Sequence, residues 1–571
     1  MHRLHTTVIA VLAACSLAAD AASVVPVGAE HGMVVSAQHL ATKVGVDVLR
    51  KGGNAVDAAV AVGYALAVVY PAAGNLGGGG FMTIHFADGR NRFLDFREMA
   101  PLAARPDMYL DAAGDVVKDA STRGQLAVGV PGTVAGLELA RASYGTMKRA
   151  DLLKPAIRLA ENGFVLGQGD VDLLDKAAPD LANDPASARI FLVDGEVPAV
   201  GHRLRQKDLA QTLRAIARGG VDGFYKGSVA AAIVAANHAG HGILSQADLD
   251  GYRPRDLPPV ECDYRGYHVV SAPPPSSGGV IMCEMLAVLE GYPLAQLGYR
   301  SARSVHLQIE AMRHAYVDRN SYLGDPDFVS NPIAYLLDRH HVDAIRDAID
   351  PLHAGISAEL RPGVAPHEGS NTTHYSIIDR DGNAVAVTYT LNDAFGARVT
   401  AAGTGVLLND EMDDFTIKPG VANLYGLVQG EANAIAPGKR PLSSMSPTIM
   451  LKDGKVVLVV GTPGGSRIIT AVLLSILNVV DYGMTVQEAI DAPRFHQQWL
   501  PEATSLERFA LSPDTRGILE SMGHKFVDQS PANHLTAILV GAPSLGGKPV
   551  GANRFYGAND PRGDSGLAAG Y

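Results

Sequence analysis

The chain reads as a mixed α and β fold, on three observations. Apolar residues recur at helical spacing in stretches that end on glycine, as in residues 133–143 before Gly145 and 152–161 before Asn162-Gly163. Two alternating runs, THYSIID and AVAVTYTLN, flank Asp381-Gly382, the mark of a β-hairpin. A continuous apolar run, KVVLVVG, meets the glycine turn Thr462-Pro463-Gly464-Gly465-Ser466 and then a helix from about Ile468 to Val480.

The first element is a short apolar run, residues 8–19, behind Arg3. It is too short to cross a bilayer, which takes about 20 apolar residues. It therefore predicts a signal peptide over residues 1–21, cut at the small-x-small site Ala19-Asp20-Ala21. Leu12-Ala13-Ala14-Cys15 also looks like a bacterial lipobox, so a lipid anchor on Cys15 is the competing reading. Either way the chain is exported, to the periplasm or beyond. The next helix has Asn54 as N-cap and Asp57 at N3, and its most apolar stretch, residues 58–70, stops at Pro71. Its Ala/Val surface predicts burial on most sides. Strands follow at residues 80–86 and 267–271. Val305, Ile309, Met312 and Tyr316 mark another helical stripe. Residues 361–371, RPGVAPHEGSN, break the pattern and read as an exposed loop, and residues 418–441 form a second, longer one.

Composition narrows the function. With 48 basic and 59 acidic residues the net charge is −11, and no Lys/Arg run occurs, so nucleic acid is not the partner. Only 19% of residues are charged against 47% apolar, which predicts a large buried core. After the signal only Cys262 and Cys283 remain; two cysteines make no framework, and buried thiols are expected. No later segment is long enough to span a membrane. G-x-S-x-G and H-E-x-x-H are absent, and His340-His341 is expected at the surface. The glycine runs at 77–80 and 461–466 match no phosphate loop, although either could turn backbone N–H groups toward an oxyanion.

Thr372 is the residue with a specific chemistry. It opens a strand directly after the exposed loop. Cutting the Asn371–Thr372 bond would give it a free α-amine, which ordinarily titrates near 7.7–8 and can act as base for the threonine's own hydroxyl.

Asn371-Thr372-Thr373-His374-Tyr375-Ser376 resembles the processing site and nucleophile of the γ-glutamyltransferases. DFREMAP at 95–101, PLSSMSP at 441–447, GGSR at 464–467, GNLGGGGF at 74–81 and the closing AAGY at 568–571 resemble the same family, in the same order. The likeness runs from about Gly32 to Tyr571. It implies an N-terminal nucleophile hydrolase with a four-layer αββα sandwich. It also implies self-cleavage into a large subunit, residues 22–371, and a small subunit, 372–571, which stay together as one globular heterodimer. Thr372 would attack the γ-glutamyl amide of glutathione or a related donor. Water or an amino acid or dipeptide would then take the γ-glutamyl group, and no cofactor or metal is implied. By motif position Thr390 assists the nucleophile, and Gly464 and Gly465 form the oxyanion hole. Arg97, with Ser443 and Ser444, takes the substrate carboxylate. Asn392, Glu411 and Asp414 take its ammonium group, and Tyr425 belongs to a lid over the site. A β-lactam (glutaryl) acylase of the same fold and a catalytically silent secreted binding protein are the alternatives.

Overall fold

Period-two alternation sorts the strand side chains onto two faces, and that sorting builds four layers. The computed structural model of the chain describes residues 23–360, 372–531 and 533–571. The expected signal segment with Cys15, the loop at 361–371 and Asn371 at the expected cut lie outside the described residues.

Two antiparallel seven-stranded sheets form the middle layers. In the first, Leu567–Gly570, Met33–Ser36, Thr373–Ile378, Ala384–Thr390, Gly79–His85, Asn91–Phe96 and Arg255–Leu257 lie side by side. In the second the order is Val27–Ala29, Phe555–Asn559, Thr536–Val540, Lys455–Gly461, Thr448–Lys452, Tyr267–Ser271 and Val260–Tyr264. Met33, Val35, Ile378 and Ala386 of the first sheet meet Val270, Ile449, Val459 and Ile538 of the second. The intervening residues Val34, Ile377, Val385 and Val387 face outward onto the helix Ala55–Val69 and its neighbours. On the far side Met450, Leu458, Val460 and Leu539 face helices Gly278–Glu290, Ala302–Tyr322 and Arg467–Val480. The result is the αββα sandwich.

Local signals account for most elements. Asn54 and Asp57 form a capping box, and all fifteen residues of Ala55–Val69 are buried, as their apolar surface requires. The hairpin pairs Ile378 with Ala384 and turns at Gly382, whose φ of +95° suits glycine. The expected strands at Tyr267–Ser271 and Lys455–Gly461 appear with those bounds. No helix among the described residues is long and apolar enough to cross a membrane.

Two expectations need correction. Cys262 and Cys283 are joined in a disulfide. Spacing alone could not reveal this, because the helix Gly278–Glu290 folds back onto the strand Val260–Tyr264 and brings the two Cα atoms to 6.0 Å. His340 is exposed, but His341 is largely covered and its Nε2 lies 2.9 Å from Asp318.

A cross-link closing a loop of this size is worth about 3 kcal/mol. The double variant Cys262→Ser, Cys283→Ala is therefore expected to unfold at lower urea concentration than the parent while keeping its native far-ultraviolet circular dichroism. An unchanged midpoint would remove the disulfide from the account of stability.

Candidate active site

The hairpin register places the centre of the site. Thr373 pairs with Tyr389, so Thr390 falls opposite Thr372, and their Oγ1 atoms lie 3.2 Å apart. The Asn392 N–H donates to Thr390 Oγ1 at 2.8 Å and orients that hydroxyl. Asn392 itself has φ +80°, a conformation asparagine tolerates better than most residues. Its side chain is spent on structure, donating from Nδ2 to the Asp410 carbonyl at 3.0 Å.

The glycine run before Phe81 packs beneath this pair. A Cβ on Gly78 would sit 1.9 Å from the Thr390 carbonyl oxygen. Only a bare backbone passes there, and Asn75 locks it by donating to the same carbonyl at 2.8 Å. The Gly78 N–H is occupied by Asn75 Oδ1 at 3.0 Å, so this glycine serves packing.

A small pocket opens over the threonines. It is lined by Arg97, Thr372, Thr390, Asn392, Glu411, Asp414, Tyr425, Ser443, Ser444 and Gly465, so nearly every residue expected from sequence converges on it. Gly464 stands one residue behind the lining. Gly464 and Gly465 have φ of +135° and +55°. A side chain on either would collide, at 2.1 Å from Asn533 and 2.1 Å from the Tyr425 ring respectively. Neither amide N–H donates to an acceptor among the described residues.

Charge in the pocket is concentrated on Arg97, which is fully buried. Its guanidinium donates to Glu411 and Asp414, reaches Glu98 at 3.5 Å, and through Nε donates to the Pro441 carbonyl at 3.2 Å. Burial disfavours its charge, but Glu411, Asp414 and Glu98 outweigh burial and hold it above the ordinary arginine range. Burial lifts the Glu411 carboxyl well above its usual value and moves Glu98 up to about 7. Tyr425 closes one wall, its hydroxyl donating to the Asn392 carbonyl at 2.7 Å. Gln498 pins that wall by donating to the carbonyls of Tyr425 and Gly426 at 3.3 and 3.0 Å.

Of the lining residues that were not anticipated, Arg319 is the charged one. Arg319 is fully buried and forms no ion pair with a carboxylate among the described residues; it donates to Ser277, Asn320, Gln429 and Ser444 at 2.9 to 3.3 Å. Burial lowers it to about 10. Its Nη2 holds Ser444 Oγ at 3.0 Å, which fixes that hydroxyl at the pocket wall. The sequence carries a signal for it: Arg319 continues the buried phase of Met312 and Tyr316, where an apolar residue is the rule.

The gamma-glutamyltranspeptidase family model matches residues 41–570. The chain belongs to that family. It is 70% identical over 552 residues to a glutathione hydrolase proenzyme of Pseudomonas sp. (strain A14), with 96% of each chain covered. It is 49% identical to the glutathione hydrolase proenzyme of Escherichia coli (strain K12), covering 96% of this chain and 93% of that one. Among solved structures, the cephalosporin acylase from Bacillus halodurans superposes with a TM-score of 0.81 at 26% identity, covering 96% and 97%. That family frame accounts for the convergence of distant motifs on Thr372.

Gly465→Ala is expected to push Tyr425 and the adjoining backbone aside by about an ångström and to cut kcat/KM on a γ-glutamyl anilide by about a hundredfold. Gly517→Ala, at a helical glycine with open space around it, is the control and should leave the rate unchanged. Equal rates for both variants would sink the steric reading of the Gly465 wall.

Proposed function

We propose that the chain is an exported, self-processing γ-glutamyltransferase and glutathione hydrolase. One observation carries the substrate class: a buried arginine held by two carboxylates, Arg97 with Glu411 and Asp414, in the same pocket as the Thr372–Thr390 pair. The α-amino-acid end of a γ-glutamyl donor carries one carboxylate and one ammonium group. It matches that internal ion pair with the signs exchanged. The substrate carboxylate takes the Arg97 fork with Ser443 and Ser444, while the ammonium takes Glu411, Asp414 and the Asn392 region. Two buried carboxylates against one arginine then find their second cation in the substrate.

Cleavage of the Asn371–Thr372 bond frees the Thr372 α-amine. Thr372 Oγ1 attacks the γ-carbonyl carbon and its proton passes to that amine. Negative charge on the carbonyl oxygen faces the N–H groups of Gly464 and Gly465. As the C–N bond breaks, the departing amine takes the proton and a γ-glutamyl ester remains on Thr372. Water or the amine of an amino acid or dipeptide then attacks the ester. No histidine lines the pocket among the described residues. The nearest in sequence, His374, is turned to Thr388 at 2.7 Å and Ser376 at 3.2 Å, and burial lowers it to about 3, which supports the amine as base.

The large subunit is residues 22–371 and the small subunit 372–571. The first sheet supports their staying together, since it interleaves strands from both sides of the cut. Export accords with the disulfide. The Arg97 cluster favours γ-glutamyl donors over glutaryl-β-lactams, which lack the ammonium group, and the threonine pair favours an active enzyme over a silent binding protein.

Thr372→Ala is expected to remain a single uncleaved chain without activity; two subunits on a gel of that variant would overturn the role of Thr372. The wild-type enzyme is expected to release product from a γ-glutamyl anilide at least about a hundredfold faster than from a glutaryl-β-lactam, because the latter leaves buried carboxylates unpaired. A reversed preference would make the chain an acylase.

A further inference from the structure

Away from the catalytic pocket, three helices of the layer covering the second sheet turn metal-ligating side chains toward one point. Gly278–Glu290 brings Glu284, Ala302–Tyr322 brings Asp318, and Arg339–Ala348 brings His341. One ligand atom from each lies within 4.8 Å of the others. His341 Nε2 is 2.9 Å from Asp318 Oδ2 and 3.5 Å from Glu284 Oε1. Those separations bracket the edge of a tetrahedron with bonds of about 2.0–2.2 Å, the geometry of zinc bound by imidazole and carboxylate.

The second observation is Glu284. Its side chain is wholly buried, and neither carboxylate oxygen accepts a hydrogen bond among the described residues. A buried carboxylate in that state is costly and calls for a partner. Asp318 and His341 keep 14% and 11% of their side chains exposed, so an ion has a way in from solvent. Two carboxylates and a neutral imidazole balance a divalent cation.

The other histidine–carboxylate cluster, His306, Glu310 and His524, is accounted for without an ion. His306 bonds His524 at 2.8 Å and the Asp350 carbonyl at 2.8 Å, and Glu310 faces Arg313 at 3.4 Å. The guanidinium there already supplies the positive charge.

We propose that Glu284, Asp318 and His341 bind a divalent transition-metal ion, of the zinc class, that ties the three helices together. The nitrogen ligand and the small ligand count disfavour calcium, which takes six to eight oxygens. The site lies outside the γ-glutamyl chemistry. Its turn of helix nevertheless continues directly into Arg319, so an ion there would also steady the residue that holds Ser444.

The test uses the processed, tag-free enzyme, stripped with a chelator and titrated with Co2+ and Zn2+. One Co2+ per chain is expected to give visible d–d absorption, Zn2+ is expected to displace it, and millimolar Ca2+ is not. Glu284→Gln and His341→Gln should each weaken Zn2+ binding at least about tenfold, with His340→Gln unchanged. His341 stands at the margin of the fold, so its variant remains informative if Glu284→Gln fails to fold. The assignment is overturned if the parent shows no stoichiometric site, or if binding survives His341→Gln.

Discussion

The pairing register of one hairpin governs the catalytic geometry. Side chains alternate faces along a strand, so slipping Thr373–Ile378 against Ala384–Thr390 by a single residue would turn Thr372 and Thr390 to opposite sides. The register is held from several directions. Ile377 and Val385 must enter the outer core while Ile378 and Ala386 enter the layer between the sheets. Gly382 fixes the turn, and Asn75 with the bare backbone of Gly78 clamps the carbonyl of Thr390 at the other end. The 3.2 Å threonine contact is thus a product of more than the hairpin, since the constraints on it come from both cores, the turn and the approach to the neighbouring strand.

Onto this rigid centre the fold sets a charge arrangement that is stable only because it is nearly closed. Arg97 in isolation would be expensive to bury, and so would Glu411 and Asp414; together they offset much of that cost, leaving Glu411 Oε2 without a hydrogen-bond partner among the described residues. The same low dielectric makes a zwitterionic ligand valuable, because it offers each buried group a fresh partner instead of water. Arg319 follows a different rule. It meets only neutral acceptors, and its depressed proton affinity records the cost of that burial. Its contribution is to hold Ser444, a positioning task for which a planar fork with several donors is suited.

The elements legible in the sequence are those whose causes are local. Capping at Asn54, the Asp-Gly turn, the buried run Lys455–Gly461 and the stripe through Tyr316 all state themselves within a dozen residues. The proposed site residues were named through motif resemblance, and the pocket gathers most of them from segments more than 300 residues apart, as with Arg97 and Glu411. What spacing did not disclose depends on tertiary proximity. The Cys262–Cys283 bond requires a helix to return to an edge strand. His341 looked like half of a surface pair until a neighbouring helix placed Glu284 behind it. Arg319 was visible as a charge in an apolar phase, but its meaning required the sight of Ser444 across the pocket.

Strand order also bears on how a chain can be cut at the proposed nucleophile, Thr372, without falling apart. In the first sheet Thr373–Ile378 lies between Met33–Ser36 and Ala384–Thr390, and Ala384–Thr390 lies against Gly79–His85. Strands from before and after residue 372 are therefore hydrogen-bonded neighbours on both sides of the hairpin. Separating the proposed subunits would break five ladders, three in this sheet and two in the second, and expose the core between the sheets, at a cost comparable to unfolding. The proposed cut alters little of that: it replaces one peptide bond by an amine at the very atom where the chemistry needs a base. A fold that interlocks its two halves can thus generate its catalytic group last, after every other part of the site has been fixed by packing.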